Sequence, residues 1–305
     1  MPEPYDCVVV GAGPAGLTAA TYLARYRRRV LVIDAGESRA RWIPVSHNCP
    51  GFPFGIGGRD LLKHFRAHAE LHEVPFMAAS VSAVERMDEG FQVKASGPAV
   101  CARTVLFATG IKDKLPPAAG IDEAITSGAL RLCAVCDGYE ARDESIGVYA
   151  PVADALGHAS FLRTFSGQVS ILSPEAVNPS AEERTRADAL GVTMHTGVTS
   201  LAFTPGGCAA EMRDGTIHRF DTIYPVLGCT PGTSPLAGLN VKADAAGKLL
   251  VDGSMETNVP GLFAAGDVVA GLNQISVAVG HAAIAATTIH NRLPRNPRVT
   301  RDGAP

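Results

Sequence analysis

The sequence predicts an α/β protein made of two Rossmann-like (doubly wound, three-layer) domains, each with a small antiparallel β-meander. Three observations carry that prediction. The chain opens as strand, glycine turn, helix and strand: "CVVV" (7–10), "GAGPAG" (11–16), a helical stretch to about Tyr26, and "VLVID" (30–34). Period-two segments follow, "SVSAVERM", "FQVKAS" and "RTVLFATG", separated by Asp88, Glu89, Gly90, Gly97 and Pro98, which is the pattern of a meander. The plan then repeats. "SIGVYA" (145–150) reads as a strand, "ADALGHASFLRTF" as a helix, "QVSIL" as a strand, and "SLAFT", "CAAEMRD" and "DTIYPVLG" as a second meander. Gly110 and Gly228, 118 residues apart, close matching strands, as two related nucleotide-binding modules would require.

In the first turn each glycine has a physical task. One makes the tight turn, one lets backbone approach a pyrophosphate, and one lets helix meet strand. The helix start then offers free N–H groups and the positive end of its dipole to phosphates. Gly11, Gly13, Pro14, Ala15 and Gly16 are therefore expected at a dinucleotide. Asp34 ends the second strand, where a carboxylate can take ribose hydroxyls. NAD and FAD both suit this turn. "GLFAAGDVV" (261–269) adds a second acid at a strand end, Gly266-Asp267, placed to take hydroxyls from a longer ligand such as a ribitol chain.

Composition narrows the field. The 305 residues suggest two domains, and 46% hydrophobic content is enough for real cores. A net charge of −3 gives no electrostatic footprint for nucleic acid or an anionic membrane. No apolar run approaches a membrane span, and "MPEPYDCVVVGAG" is no signal peptide. Seven cysteines, odd in number and mostly isolated, do not make a secreted disulfide framework, so a cytoplasmic protein is expected. His64, His68 and His72 repeat every four residues, but beside Leu61, Leu62, Phe65 and Ala69 they read as a solvated helix stripe, and no metal site is expected. "RYRRR" (25–29) suits the negative end of the first helix. The Pro- and Arg-rich "RLPRNPRVTRDGAP" end has no apolar periodicity and reads as disordered.

"CAVCDG" (133–138) carries the chemistry. Zinc would need two more ligands, yet Cys7, Cys49, Cys101, Cys208 and Cys229 each stand alone. A structural disulfide across so small a loop would stabilise little. A redox pair is the best reading, because such a motif lowers a thiol's pKa and the thiolate is the nucleophile.

With GAGPAG, "FATG" (107–110) and Gly266-Asp267, the CAVCDG motif resembles the low-molecular-weight thioredoxin reductase family, over residues 5 to about 292. The resemblance implies an FAD domain of residues 1–114 and 232–305, with residues 115–231 inserted as a second module carrying the cysteine pair. It also implies a homodimer acting on a thioredoxin-like protein or a small dithiol or disulfide. Flavin contacts would come from the GAGPAG turn, from Asn48 in "NCPGFP", from Thr109 and Gly110, from Gly266 and Asp267, and from Gln274 and Ile275 at a helix start. The family usually has Arg-Gln where this chain has Asn273-Gln274. By the same resemblance Cys136 sits against the flavin, Cys133 forms the mixed disulfide with the partner, and Asp137 serves as acid and base. A helix-start capping role is the alternative for Asp137. Cys49 is unusual beside the expected flavin site, a spectator or a third thiol.

The second module departs from the family. Where the family loop reads GxGxxA, this chain has Ala150, Val152 and Ala155, and Pro151 removes an N–H donor. The arginine cluster for a 2′-phosphate is replaced by "SPEAVNPSAEER" (173–184), with no basic residue before Arg184. Use of NADPH is therefore not expected. Four alternatives follow: a reductase fed by a protein donor such as ferredoxin, a dithiol oxidase passing electrons to O2, an ordinary NADPH-dependent reductase, and a non-enzymatic flavin redox sensor. The oxidases usually carry histidine after the second cysteine, so Asp137 leans towards the reductase.

Overall fold

The computed structural model describes residues 3–298. In chain order the elements are β1 (Tyr5–Val10), α1 (Pro14–Arg25), β2 (Val30–Asp34), α2 (Gly58–Glu70), β3 (Phe76–Ala78), β4 (Val81–Arg86), β5 (Phe91–Ala95), β6 (Val100–Phe107) and β7 (Ile111–Asp113). Next come α3 (Ile121–Ser127), α4 (Ala134–Asp137), β8 (Ser145–Tyr149), α5 (Val152–Leu162), β9 (Gln168–Ser173), α6 (Ala181–Leu190) and β10 (Thr193–Thr196). The chain continues through β11 (Val198–Thr204), β12 (Gly207–Met212), β13 (Ile217–Phe220), β14 (Thr222–Pro225) and β15 (Cys229–Pro231), and closes with β16 (Leu262–Ala264) and α7 (Ile275–Arg292). Among the described residues no helix is long and apolar enough to cross a membrane.

The chain forms two compact units. The first holds the residues up to Arg41, Arg59–Lys112 and the residues from Thr230 on; the second holds Trp42–Gly58 and Asp113–Cys229. The sequence expectation kept 42–58 with the first unit. The structure differs because Trp42 packs on the apolar cluster around Ile125, Leu130 and Ile223. Within the same segment Ser46 bridges Ile56, closing it into a compact loop.

In the first unit the sheet runs β3-β2-β1-β6-β5-β4, with β16 also parallel to β6. β1, β2, β3 and β6 are parallel, as strand–helix–strand crossovers demand, while β4, β5 and β6 form the antiparallel meander. Strand side chains alternate between two buried faces, so β1 and β2 read as continuous apolar runs. Cys7, Val9 and Val32 meet α1 and α7 on one face. Val8, Val10 and Ile33 meet Phe91, Val93, Leu236 and Leu249 on the other. This second face is thus covered by meander strands, loop and the 3-10 turn Ser234–Leu239 rather than by an α-helix.

The second unit repeats the plan with a parallel sheet β10-β9-β8-β14 and a separate three-stranded meander β11-β12-β13. Here "DTIYPVLG" is not the meander's third strand. The chain breaks at Asp221, which takes the Ser145 N–H on its carboxylate, so β13 stays in the meander while β14 joins β8. The described part of the C-terminal segment is also anchored rather than free. Arg28, buried, donates to the carbonyls of His290 and Pro294, and Asn296 donates to the carbonyls of Tyr26 and Arg27. Residues 299–305 lie outside the described residues.

Candidate active site

The first turn is built by sterics. Gly11 has φ +101°, and a Cβ there would sit 2.5 Å from the Ala108 carbonyl oxygen. A Cβ on Gly16 would sit 1.9 Å from the Gly11 oxygen. Only glycine fits at either place. Gly13 is the N-cap of α1 with no side chain capping it, and Pro14 starts the helix. The N–H groups of Ala15 and Gly16 therefore point out of the helix with no carbonyl behind them. Asp34 ties the turn down: Oδ1 accepts from Ala12 N–H at 2.9 Å and Oδ2 from Gly36 N–H at 3.1 Å. Each oxygen keeps a lone pair for a further donor.

The other expected residues of the first unit gather on the same side of the sheet. Gly266 (φ +79°) lies where a Cβ would meet the Ala15 side chain at 3.0 Å and that of Ala278 at 3.6 Å. Asp267 pairs with Arg39 at 3.9 Å. Gln274 is the N-cap of α7 and makes no side-chain cap bond, so the helix opens at Ile275 with its N–H groups free. Asn273 accepts from Lys248 Nζ at 2.8 Å, which gives the residue standing at the family's arginine position a cation of its own. Gly110 accepts the Gly232 N–H, while the Thr109 hydroxyl and His281 Nδ1 are buried with no partner. Orphan buried polar groups beside an uncapped helix start suit a polar ligand. Asn48 is not among them: it lies in the second unit, its Nδ2 donating to the Val135 carbonyl at 3.4 Å.

The second unit holds the sulfur chemistry. Cys133 and Cys136 are joined as a disulfide with Cα atoms 5.2 Å apart. Cys133 is the N-cap of the four-residue α4, and Asp137 is its last residue, so the helix-start capping role does not hold. The Asp137 carboxyl instead accepts from the Tyr224 hydroxyl at 2.9 Å and pairs with Arg131 at 3.6 Å. Burial pushes its pKa up to about 6, against the pull of Arg131 and the Tyr224 hydroxyl. A carboxyl near that value can both give and take a proton around neutral pH. Cys49 is buried in the 42–58 loop, and burial raises its thiol pKa, the opposite of an activated thiol.

The second unit's own turn is shaped differently. Tyr149 pairs with Leu172 as Val10 pairs with Ile33, and Ala150 N–H bonds Leu172 O as Gly11 N–H bonds Ile33 O. Register therefore puts Ala150 at the Gly11 place, Pro151 at Ala12, Val152 at Gly13 and Ser173 at Asp34. Pro151 has no N–H to give, and Ser173 instead accepts from Glu175 N–H at 3.2 Å. Val152 is buried and already helical, so the helix starts at the position that Gly13 occupies as cap in the first turn. Asp154 adds a negative charge in the first turn, where a phosphate would have to sit.

Arg131, Tyr224 and Glu144 escaped sequence reasoning. Arg131, two residues before the cysteine pair, was a visible cation; nothing local marks Tyr224, 87 residues beyond Asp137.

Residues 5–282 match the family described as "Pyridine nucleotide-disulphide oxidoreductase". The thioredoxin reductase of Listeria monocytogenes is 28% identical over 294 residues, covering 92% of this chain and 91% of its own length. That of Mycolicibacterium smegmatis is 28% identical over 277 residues, covering 87% and 88%. Among solved structures, the thioredoxin reductase from Streptococcus pyogenes aligns with a TM-score of 0.86 at 28% identity, over 94% of this chain and 97% of that one. The structure of HlmI aligns with a TM-score of 0.87 at 29% identity, over 95% and 93%.

Proposed function

The chain belongs to the pyridine nucleotide-disulphide oxidoreductase family as a thioredoxin reductase-like enzyme, and on that premise we propose that it exchanges electrons between FAD and a thiol partner through Cys133–Cys136 without drawing them from NADPH. The partner is a thioredoxin-like protein or a small dithiol or disulfide, and the electrons come from a protein donor such as ferredoxin. The observation that carries the departure is the second turn, where Pro151, Val152 and Ser173 replace donor, clearance and acid together.

FAD suits the first unit. Gly11 and Gly16 let the turn close tightly onto the start of α1, that start presents unpaired N–H groups, and the buried Thr109 hydroxyl lacks a partner. The diphosphate would lie on Gly13 to Gly16, with Asp34 and Asp267 taking hydroxyls and the start of α7, Gln274 and Ile275, facing the ring. When bound, FAD supplies a two-electron carrier that exchanges with thiols. The protein's share is thiol chemistry. The Cys133 thiolate attacks the partner's disulfide, Asp137 protonates the departing sulfur, and Cys136 then displaces the partner from Cys133.

A second reading, NADPH-dependent thioredoxin reduction, is favoured by the family match and by the relatives named thioredoxin reductase. Trapping tests the shared part of both. Mixed with oxidised thioredoxin after reduction, Cys136→Ser is expected to accumulate a covalent adduct through Cys133, and Cys133→Ser is not. Adducts from neither variant would remove the exchange role.

A further inference from the structure

Around Asp137 lies a polar cluster of which the exchange steps above use only Asp137 itself. Gly128 (φ +80°) opens space for the Arg131 guanidinium, since a Cβ there would be 3.2 Å from Nη2. Residues 128–131 run beside β14: Thr222 Oγ1 donates to Gly128 O, Ile223 N–H to Ala129 O, and Arg131 N–H to Ile223 O. That pairing sets Arg131 next to Tyr224, whose hydroxyl donates to Asp137. Arg131 faces Asp137 at 3.6 Å with both side chains about one-fifth exposed, and its buried Nε has no partner. Glu144 Oε2 is likewise buried without a partner. Arg131 acts electrostatically on Asp137, Glu144 and Tyr224 alike. Glu140, in the turn after α4, faces Asp137, and Asp221, just before β14, faces Glu144.

Arg131 pairs with Asp137 and acts through space on the half-buried Glu144. Burial opposes the charge on Asp137 while Arg131 and the Tyr224 hydroxyl favour it, so this one carboxyl is poised to hold or release a proton. We infer that Arg131, Tyr224 and Glu144 form with Asp137 a cluster that stores one exchangeable proton for thiol–disulfide exchange, with Arg131 as the residue that positions the Asp137 carboxylate. The inference rests on the proposal that Cys133–Cys136 is the exchanging pair.

The steps balance. The reduced pair starts as Cys133 thiolate and Cys136 thiol, with Asp137 protonated. Cys133 attacks one partner sulfur, the partner's S–S bond breaks, and the departing sulfur takes the Asp137 proton. Arg131 then balances the carboxylate left behind. Cys136 gives its proton to that carboxylate and attacks Cys133, closing the intramolecular disulfide. The second partner sulfur leaves with the proton just received. Two electrons and two protons pass to the partner.

The test is the pH profile of a single oxidation of the reduced holoprotein by two small disulfides. Hydroxyethyl disulfide releases an alkyl thiol that needs a proton to leave; dithiobis(nitrobenzoate) releases an aromatic thiolate that does not. Arg131→Met is expected to move the alkyl profile up by about one pH unit relative to the aromatic one. Arg131→Lys restores most of the difference, Tyr224→Phe moves it upward less, and Glu144→Gln moves it down. Arg131→Lys and Glu144→Gln keep the test open if Arg131→Met fails to fold, which its melting curve reports. Alkyl and aromatic profiles that shift together, or do not shift, overturn the inference. Reduced parent protein that exchanges with neither disulfide overturns instead the reading of the cysteine pair, and the inference with it.

Discussion

Two βα turns in one chain share a register yet present opposite surfaces. At the end of β1 a glycine with positive φ, an uncapped helix start and a carboxylate holding the turn leave the first N–H groups of α1 without carbonyl partners. At the end of β8 the corresponding places hold Ala150, Pro151, Val152 and Ser173, and Val152 packs into the core. The apolar framework survives in both: α5 packs on β8 and β9 as α1 packs on β1 and β2. On the proposed reading the module keeps its packing while losing its ligand surface, because the core depends on side-chain volume and the site on a few backbone groups.

The sharpest way to break this contrast is steric. Gly16→Val drives a side chain into the Gly11 carbonyl, and is expected to cost about 3 kcal/mol or more and to abolish flavin content. Ala155→Gly, its counterpart, is expected to cost about 1 kcal/mol of helix stability and leave flavin content intact. Thermal melts and flavin-to-protein ratios measure both. Equal losses at the two positions would refute the contrast.

Next in size is the acid that the second unit does carry. Burial disfavours the charge on Asp137 and pushes its pKa up from an ordinary 3.8 to about 6 in the fold. Between those values the native state binds more protons than the unfolded chain. Its contribution to stability is therefore greatest below about pH 4 and falls as pH rises through 6, by about 3 kcal/mol at most. Urea unfolding at both ends of that window should show the slope in the parent and not in Asp137→Asn. A parent slope that survives the substitution belongs to other groups.

Smaller effects separate the two strand-end residues. Asp34→Ala removes the acceptor of two backbone N–H groups and is expected to cost about 2 kcal/mol, with flavin retention falling alongside. Ser173→Ala removes one such bond and is expected to cost about 1 kcal/mol or less without touching the flavin. Flavin loss from Ser173→Ala would mean that the second turn still serves a cofactor.

How much was legible follows from range. GAGPAG, its strands, Asp34 and the cysteine pair are local patterns, and the folded turn uses Gly11 and Gly16 for the steric reasons the sequence suggests. The polar cluster behind Asp137 was not legible, because the Arg131–Tyr224 neighbourhood comes from pairing between residue 131 and β14. The meander's true third strand, β13, was not legible because it is short and carries His218 and Arg219, while Asp221 bonds Ser145 and parts it from β14. The grouping of Asn48's segment with the second unit follows from Trp42 packing on the cluster around Ile125, Leu130 and Ile223, a contact that no local pattern announces. The prolines after α7 suggested a free tail, yet Arg28, buried across 266 residues of sequence, holds the Pro294 carbonyl.

The most direct test of the central claim is an anaerobic titration of the FAD-loaded protein, following the yellow flavin band. Stoichiometric NADPH is expected to leave the band unchanged, while a dithiol bleaches it through Cys133–Cys136. Bleaching by one equivalent of NADPH would contradict the account, showing that the turn built from Ala150, Pro151 and Val152 still binds the nucleotide productively.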